Sequence, residues 1–191
     1  MSRYLVRLPN RNGYTPRDVP TVTDKIRNII GSPDKASHFR IGQTAIEFNL
    51  FANTQEELDT YSEKFEKEFS RILLLKPLDQ PSETIETDLA LKEGVDLFNQ
   101  ERFWESHEIL EQAWKQSHGQ EKEAIQALIL TAAAFVHQQK GEDSISLSIL
   151  ARAREKLGKN VSLPTINLSA VRDNLDRILE SNLILPFKIY A

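Results

Sequence analysis

The stretch Phe103-Trp104-Glu105-Ser106-His107-Glu108-Ile109-Leu110-Glu111-Gln112-Ala113-Trp114 decides how this chain is read. Phe103, His107, Leu110 and Trp114 follow one another by four, three and four residues, so on a helix they share one face. That stripe is apolar except for His107, and Glu111 lies one turn further on beside it. Ionisable groups are seldom buried alone, because desolvation costs several kcal/mol unless hydrogen bonds offset it. The helix therefore carries either a site or a polar network that holds helices together. If Trp114 is core, truncating it to alanine costs about 3–5 kcal/mol. Glu105 points almost opposite His107 and reads as solvated surface.

Working outward, everything from about Asp88 onward reads helical. A helix from about Asp88 to Asn99 precedes the quoted stretch, with Leu91, Val95 and Phe98 inward. The segment 121–140 holds AIQALILTAAAFV, apolar nearly all round, and predicts the central helix of a bundle. Gly141 ends it. Asp143 or Ser144 caps a fourth helix to Leu157, with Leu147, Leu150, Ala151 and Arg154 inward. Ser169 caps a fifth that ends near Glu180. The tail LILPFKIY, residues 183–190, is strongly apolar and should dock on this chain or on a second copy.

Before the helices the periodicity is different. Tyr4–Leu8 reads as a strand, Thr21–Ile30 as a helix stopped by Gly31, and 37–41 and 45–51 as a hairpin around Gly42-Gln43. Thr54-Gln55-Glu56-Glu57 has the capping-box pattern and opens a helix with Leu58, Tyr61, Phe65 and Phe69 on its buried stripe. Arg71–Lys76 reads as a last strand. The order βαββαβ is that of the ferredoxin-like split βαβ arrangement. A break containing proline, serine and threonine at 76–87 marks the domain boundary. The expectation is an α+β protein: a ferredoxin-like domain over 1–79, then an all-α five-helix bundle with its tail over 80–191.

The totals bound the function. In 191 residues the net charge is −4, with +1 over residues 1–80 and −5 over the rest, so no global field draws the chain to nucleic acid or anionic lipid. There is no cysteine, which removes disulfides, thiolate metal sites and cysteine nucleophiles together and fits a reducing cytoplasm. No apolar run approaches the length of a membrane span, and the N-terminus lacks the apolar core of a signal peptide. The seven glycines make neither a dinucleotide fingerprint nor a P-loop, and G-x-S-x-G is absent.

The run from Gly94 through Phe98-Asn99, Phe103-Trp104-Glu105 and His107-Glu108 to Leu110-Glu111 and Trp114 resembles the helical "domain of unknown function 309" family. A small-residue helix at 125–137 and a helix at 147–157 continue the likeness, which covers about 88–157. The resemblance implies an all-α bundle there and no particular activity.

Candidate chemistry centres on His107-Glu108-Ile109-Leu110-Glu111, of the form H-E-x-x-E. The zinc-protease helix needs a second histidine where Glu111 stands, so His137 on the next helix would have to complete a divalent-metal site of His107, Glu111 and His137. A divalent metal is the one candidate cofactor. Without metal, His107, Glu108 and Glu111 are the catalytic candidates as base and orienter. The alternative is a structural network of His107 and Glu111 flanked by Trp104 and Trp114, with Gln126, His137 and Arg154 contributed by neighbouring helices. On the N-terminal sheet, Arg3 and Arg7 share one strand face and His38 and Arg40 another, a modest basic platform for RNA with Phe51 as the one stacking residue.

Three functions follow in order: a non-enzymatic interaction or scaffold module, a metal-dependent hydrolase on the H-E-x-x-E helix, and a weak RNA binder. The apolar tail predicts a homo-oligomer or a protein partner. A membrane partner is not expected.

Overall fold

The computed structural model describes residues 1–79, 85–158 and 163–190, so residues 80–84 of the expected break at 76–87 lie outside the described residues. They gather into two compact units. The first holds β1 (Ser2–Pro9), α1 (Val19–Ile30), β2 (Ala36–Ile41), β3 (Ala45–Ala52), α2 (Gln55–Phe69) and β4 (Leu74–Pro77). Its sheet has the strand order β2-β3-β1-β4, and every neighbouring pair is antiparallel.

Each helix of this unit follows from its spacing. α1 buries Val22, Ile26 and Ile30, and Gly31 stops it with φ at +80°, a left-handed conformation glycine adopts without steric cost. α2 buries Leu58, Tyr61, Phe65 and Phe69. Thr54 caps it, its side chain accepting from the Glu57 backbone N–H at 3.1 Å. Glu57 answers one residue earlier than a capping box would, accepting from the Asn53 N–H at 2.6 Å. These helices cover the sheet face bearing Val6, Leu8, Ile46, Phe48 and Leu50, where Phe48 stacks on Phe39 and meets the edge of Phe65.

The opposite side of the sheet carries a row of charge. Arg7 stands directly across from Glu47 on one side and Arg40 on the other, with each guanidinium Nε 3.4 Å from a Glu47 carboxylate oxygen. Arg40 and Glu47 are both buried, at 3% exposure each. The register of β2 slips next to this row. Between the pairs Ser37–Asn49 and Arg40–Glu47, β2 has two residues where β3 has one, and His38 takes a left-handed φ of +56°. That β-bulge breaks the strict alternation that would put His38 and Arg40 on one face.

The second unit holds α3 (Thr87–Asn99), α4 (Phe103–Gln116), α5 (Gly119–Gln139), α6 (Asp143–Lys156) and α7 (Leu168–Ser181). Its core gathers residues from all five helices and from the tail. α3 and α4 come together at Gly94, where a β-carbon would lie 2.6 Å from Leu110 Cγ. Ser106 exploits the same closeness, its hydroxyl donating to the Gly94 carbonyl at 2.7 Å. The buried line of α4 is thus Phe103, Ser106, Leu110 and Ala113, with His107 and Trp114 on its margin. The inward face of α6 is Ser146, Leu150 and Ala153, and Ala151 is exposed. Asn167, not Ser169, caps α7 by accepting from the Ala170 N–H at 3.1 Å. No helix among the described residues is long and apolar enough to cross a membrane.

Candidate functional site

On the α4 helix the buried charge is not the one the stripe predicts. Glu105 is 3% exposed, and Arg102 folds back over it in a two-pronged pair: Nε donates to Oε2 at 2.7 Å and Nη2 to Oε1 at 2.8 Å. The expectation of a solvated Glu105 is therefore corrected. Helical spacing does place Glu105 away from the apolar line, but direction alone does not decide burial, and the guanidinium fork satisfies the carboxylate that burial would penalise.

His107 lies at the margin, its side chain 26% exposed, with Nδ1 3.7 Å from Oε1 of the exposed Glu108. Glu111 faces Lys115 at 4.0 Å. His137 is engaged elsewhere: Nδ1 lies 2.5 Å from Glu142 Oε2 and closes the turn between α5 and α6. Among the described residues no group of three or more His, Asp or Glu side chains could hold a metal ion, so His107, Glu111 and His137 are not brought together as ligands. Trp104 and Trp114 are partly buried against the core, and Lys122 lies over the Trp114 ring, 4.2 Å from its centroid. Gln126 lines a groove with Glu123, Leu130, Arg152, Glu155 and Lys156, in which Lys156 donates to Glu123 at 2.6 Å. Arg154 reaches across to α7, its Nε and Nη2 donating to the two oxygens of Asp176. Each holds the other charged: the hydrogen bonds raise the Arg154 pKa and lower that of Asp176.

Three of the four residues of the basic platform face acidic partners. Arg7 and Arg40 both face Glu47, and Arg3 pairs with Asp79. His38 is exposed within the bulge, its Nδ1 2.8 Å from Ser37 Oγ. Partial desolvation, then the charges of Arg40 and Arg3, hold its pKa below the ordinary imidazole value.

The arrangement that looks most like recognition was not singled out by residue type. Residues 183–190 dock on the helical unit of their own chain. The Asn99 carboxamide makes both of its hydrogen bonds to the backbone of one tail residue: Nδ2 donates to the Ile189 carbonyl and Oδ1 accepts from the Ile189 N–H, each at 2.8 Å. Lys188 Nζ donates to the Asn99 carbonyl, and the Asn167 N–H donates to the Tyr190 carbonyl at 2.8 Å. Phe187 packs with Phe98 and Phe135, ring centroids 5.5 and 5.8 Å away, and Ile184 and Ile189 are buried. This is how extended peptides are commonly read: main-chain bonds supply the grip, and alternate side chains fill pockets. Phe98-Asn99 was visible as part of a motif, but nothing in its local sequence announces a partner ninety residues away.

Residues 91–149, from within α3 to within α6, match the model of the family described as Domain of unknown function (DUF309). The matched segment holds Asn99, the whole of α4 and the small-residue helix α5, the stretch whose resemblance the sequence carries. Neither a curated protein nor a solved structure matches the chain.

Proposed function

We propose that this chain is a non-enzymatic interaction module of the reducing cytoplasm, made of a ferredoxin-like unit and a five-helix bundle, and that the bundle's function is to hold an extended peptide. The strand order β2-β3-β1-β4 with two helices on one face supports the first part of that description. The observation that carries the function is the Asn99 carboxamide bonded twice to Ile189, with Phe187 packed against both Phe98 and Phe135. His137, weighed as a metal ligand, is engaged with Glu142, and Arg154, weighed as part of a network, with Asp176.

A fluorescent peptide of residues 183–190 tests this reading on full-length protein. In the wild type the chain's own tail masks the groove, so apparent affinity falls by the fraction of molecules that are open. Phe187→Ala weakens the resident tail and should tighten peptide binding about tenfold or more. Asn99→Ala in the same background should abolish it. A folded Phe187→Ala chain that binds no peptide would overturn the reading.

A further inference from the structure

The tail's attachments are unevenly distributed. It leaves α7 through Asn182, a non-glycine residue held at φ +54°. Leu183 and Leu185, the next outward positions, are 59% and 56% exposed, large apolar side chains left in water. Apart from the buried Ile184 between them, what holds the segment on the bundle lies beyond them: Phe187, the Ile189 backbone and the Tyr190 carbonyl. The joint thus leaves two large apolar side chains in water, whereas the docked part is well made.

We propose that the Asn99 groove takes the same tail from a second copy, so that two chains exchange residues 183–190 in a reciprocal dimer. The proposal rests on the peptide-groove reading above. The second copy offers an identical segment, so every contact beyond the joint is kept, and only the joint and the loss of independent motion distinguish the two states. Exchange straightens the joint at Asn182, which no longer has to turn the chain back along its own bundle. It also brings the two crossing segments, with Leu183 and Leu185 of each copy, side by side about the dyad, where their apolar surface is covered. The attached tail has an effective concentration in the millimolar range, so exchange is favoured as protein concentration rises toward it.

The absence of cysteine makes the test clean, because every thiol is an introduced one. The Asn167 and Tyr190 backbones are hydrogen-bonded at 2.8 Å, so Asn167→Cys and Tyr190→Cys place two thiols within reach of a disulfide. In a chain carrying both, oxidised glutathione should close an internal bridge. When two batches carrying one substitution each are mixed and concentrated, a linked two-chain species should form and its share should rise with concentration. Tyr190→Cys mixed with Glu180→Cys, roughly 20 Å further along α7, should link far less.

Internal closure without any linked pair overturns the exchange and leaves the groove reading standing. Failure of the internal bridge to close overturns both. Equal linking to the Glu180 position marks random collision and also overturns the exchange. If the Asn167 variant does not fold, light scattering of the wild-type chain decides. A concentration-dependent dimer that is lost in Phe187→Ala supports the exchange, and a monomer at every concentration refutes it.

Discussion

Arg102 and Glu105 stand one turn apart on the same chain, and the guanidinium closes on the carboxylate through two parallel hydrogen bonds. A pair this close in sequence costs little chain entropy to assemble, and its planar fork loses little more on forming. Glu105 therefore sits in the motif as a buried anion already neutralised by its neighbour.

Removing one partner of a buried pair exposes the cost of the other. Glu105→Ala should destabilise the chain by about 2–4 kcal/mol in urea denaturation. Glu108→Ala, on the exposed flank of the same helix, should change stability by less than about 0.5 kcal/mol. Equal effects would mean that the burial of Glu105 is unimportant.

Gly94 predicts a different failure. A methyl group there meets Leu110 Cγ and Cδ2, both at 2.6 Å. Overpacking of this kind costs about 1–3 kcal/mol. Gly94→Ala should therefore destabilise although alanine is the better helix former, and Leu110→Ala should cost less in that background than in the wild type, the coupling expected of residues in contact. Additive losses in a double-mutant cycle would count against the close approach.

Glu57 sets an acid limit on the first unit. Its carboxylate accepts from the Asn53 N–H, pairs with Lys35 and accepts from the Tyr61 hydroxyl, and these hold its pKa down to about 2 from an ordinary 4.5. Because the folded value is depressed, the stabilisation is complete above about pH 4.5 and is lost as pH falls from there toward 2. The denaturation midpoint of Glu57→Gln should be lower than that of the wild type at pH 6, and the gap should close by pH 2. A gap that stayed constant with pH would remove ionisation from the explanation.

Trp114 is on the margin of the α4 core line rather than at its centre. Trp114→Ala should cost about 1–3 kcal/mol, below the range for fully buried aromatics, whereas Phe103→Ala, at 1% exposure, should reach about 3–5 kcal/mol. Denaturant melts ranking the two in the opposite order would contradict the placement of the core line.

What the chain discloses about itself depends on how local the cause is. The stripe Leu58–Tyr61–Phe65–Phe69, the Thr54 cap and the Gly31 stop are written within a turn or two, and all appear as read. The α4 face was read a fraction of a turn away because Gly94, on another helix, moves the line of closest approach to Ser106. His38 and Arg40 looked coplanar because alternation assumes an unbroken ladder, and one extra residue in β2 breaks it. The tail was recognisable as apolar and in need of a surface, but Asn99, the residue that receives it, carries no hydrophobic signal and is linked to it only by the fold.

Glu47 has arginines in register on both neighbouring strands. If β1 slipped by one residue against β3, Arg7 would lose its place and Val6 and Leu8 would turn away from the helices. The row therefore acts as a key that only one alignment of three strands fits. It also ties three positions together in any mutational history. Replacing Glu47 alone removes a counter-charge from two buried or nearly buried guanidiniums at once, so neutral drift at this row has to pass through more than one strand in concert.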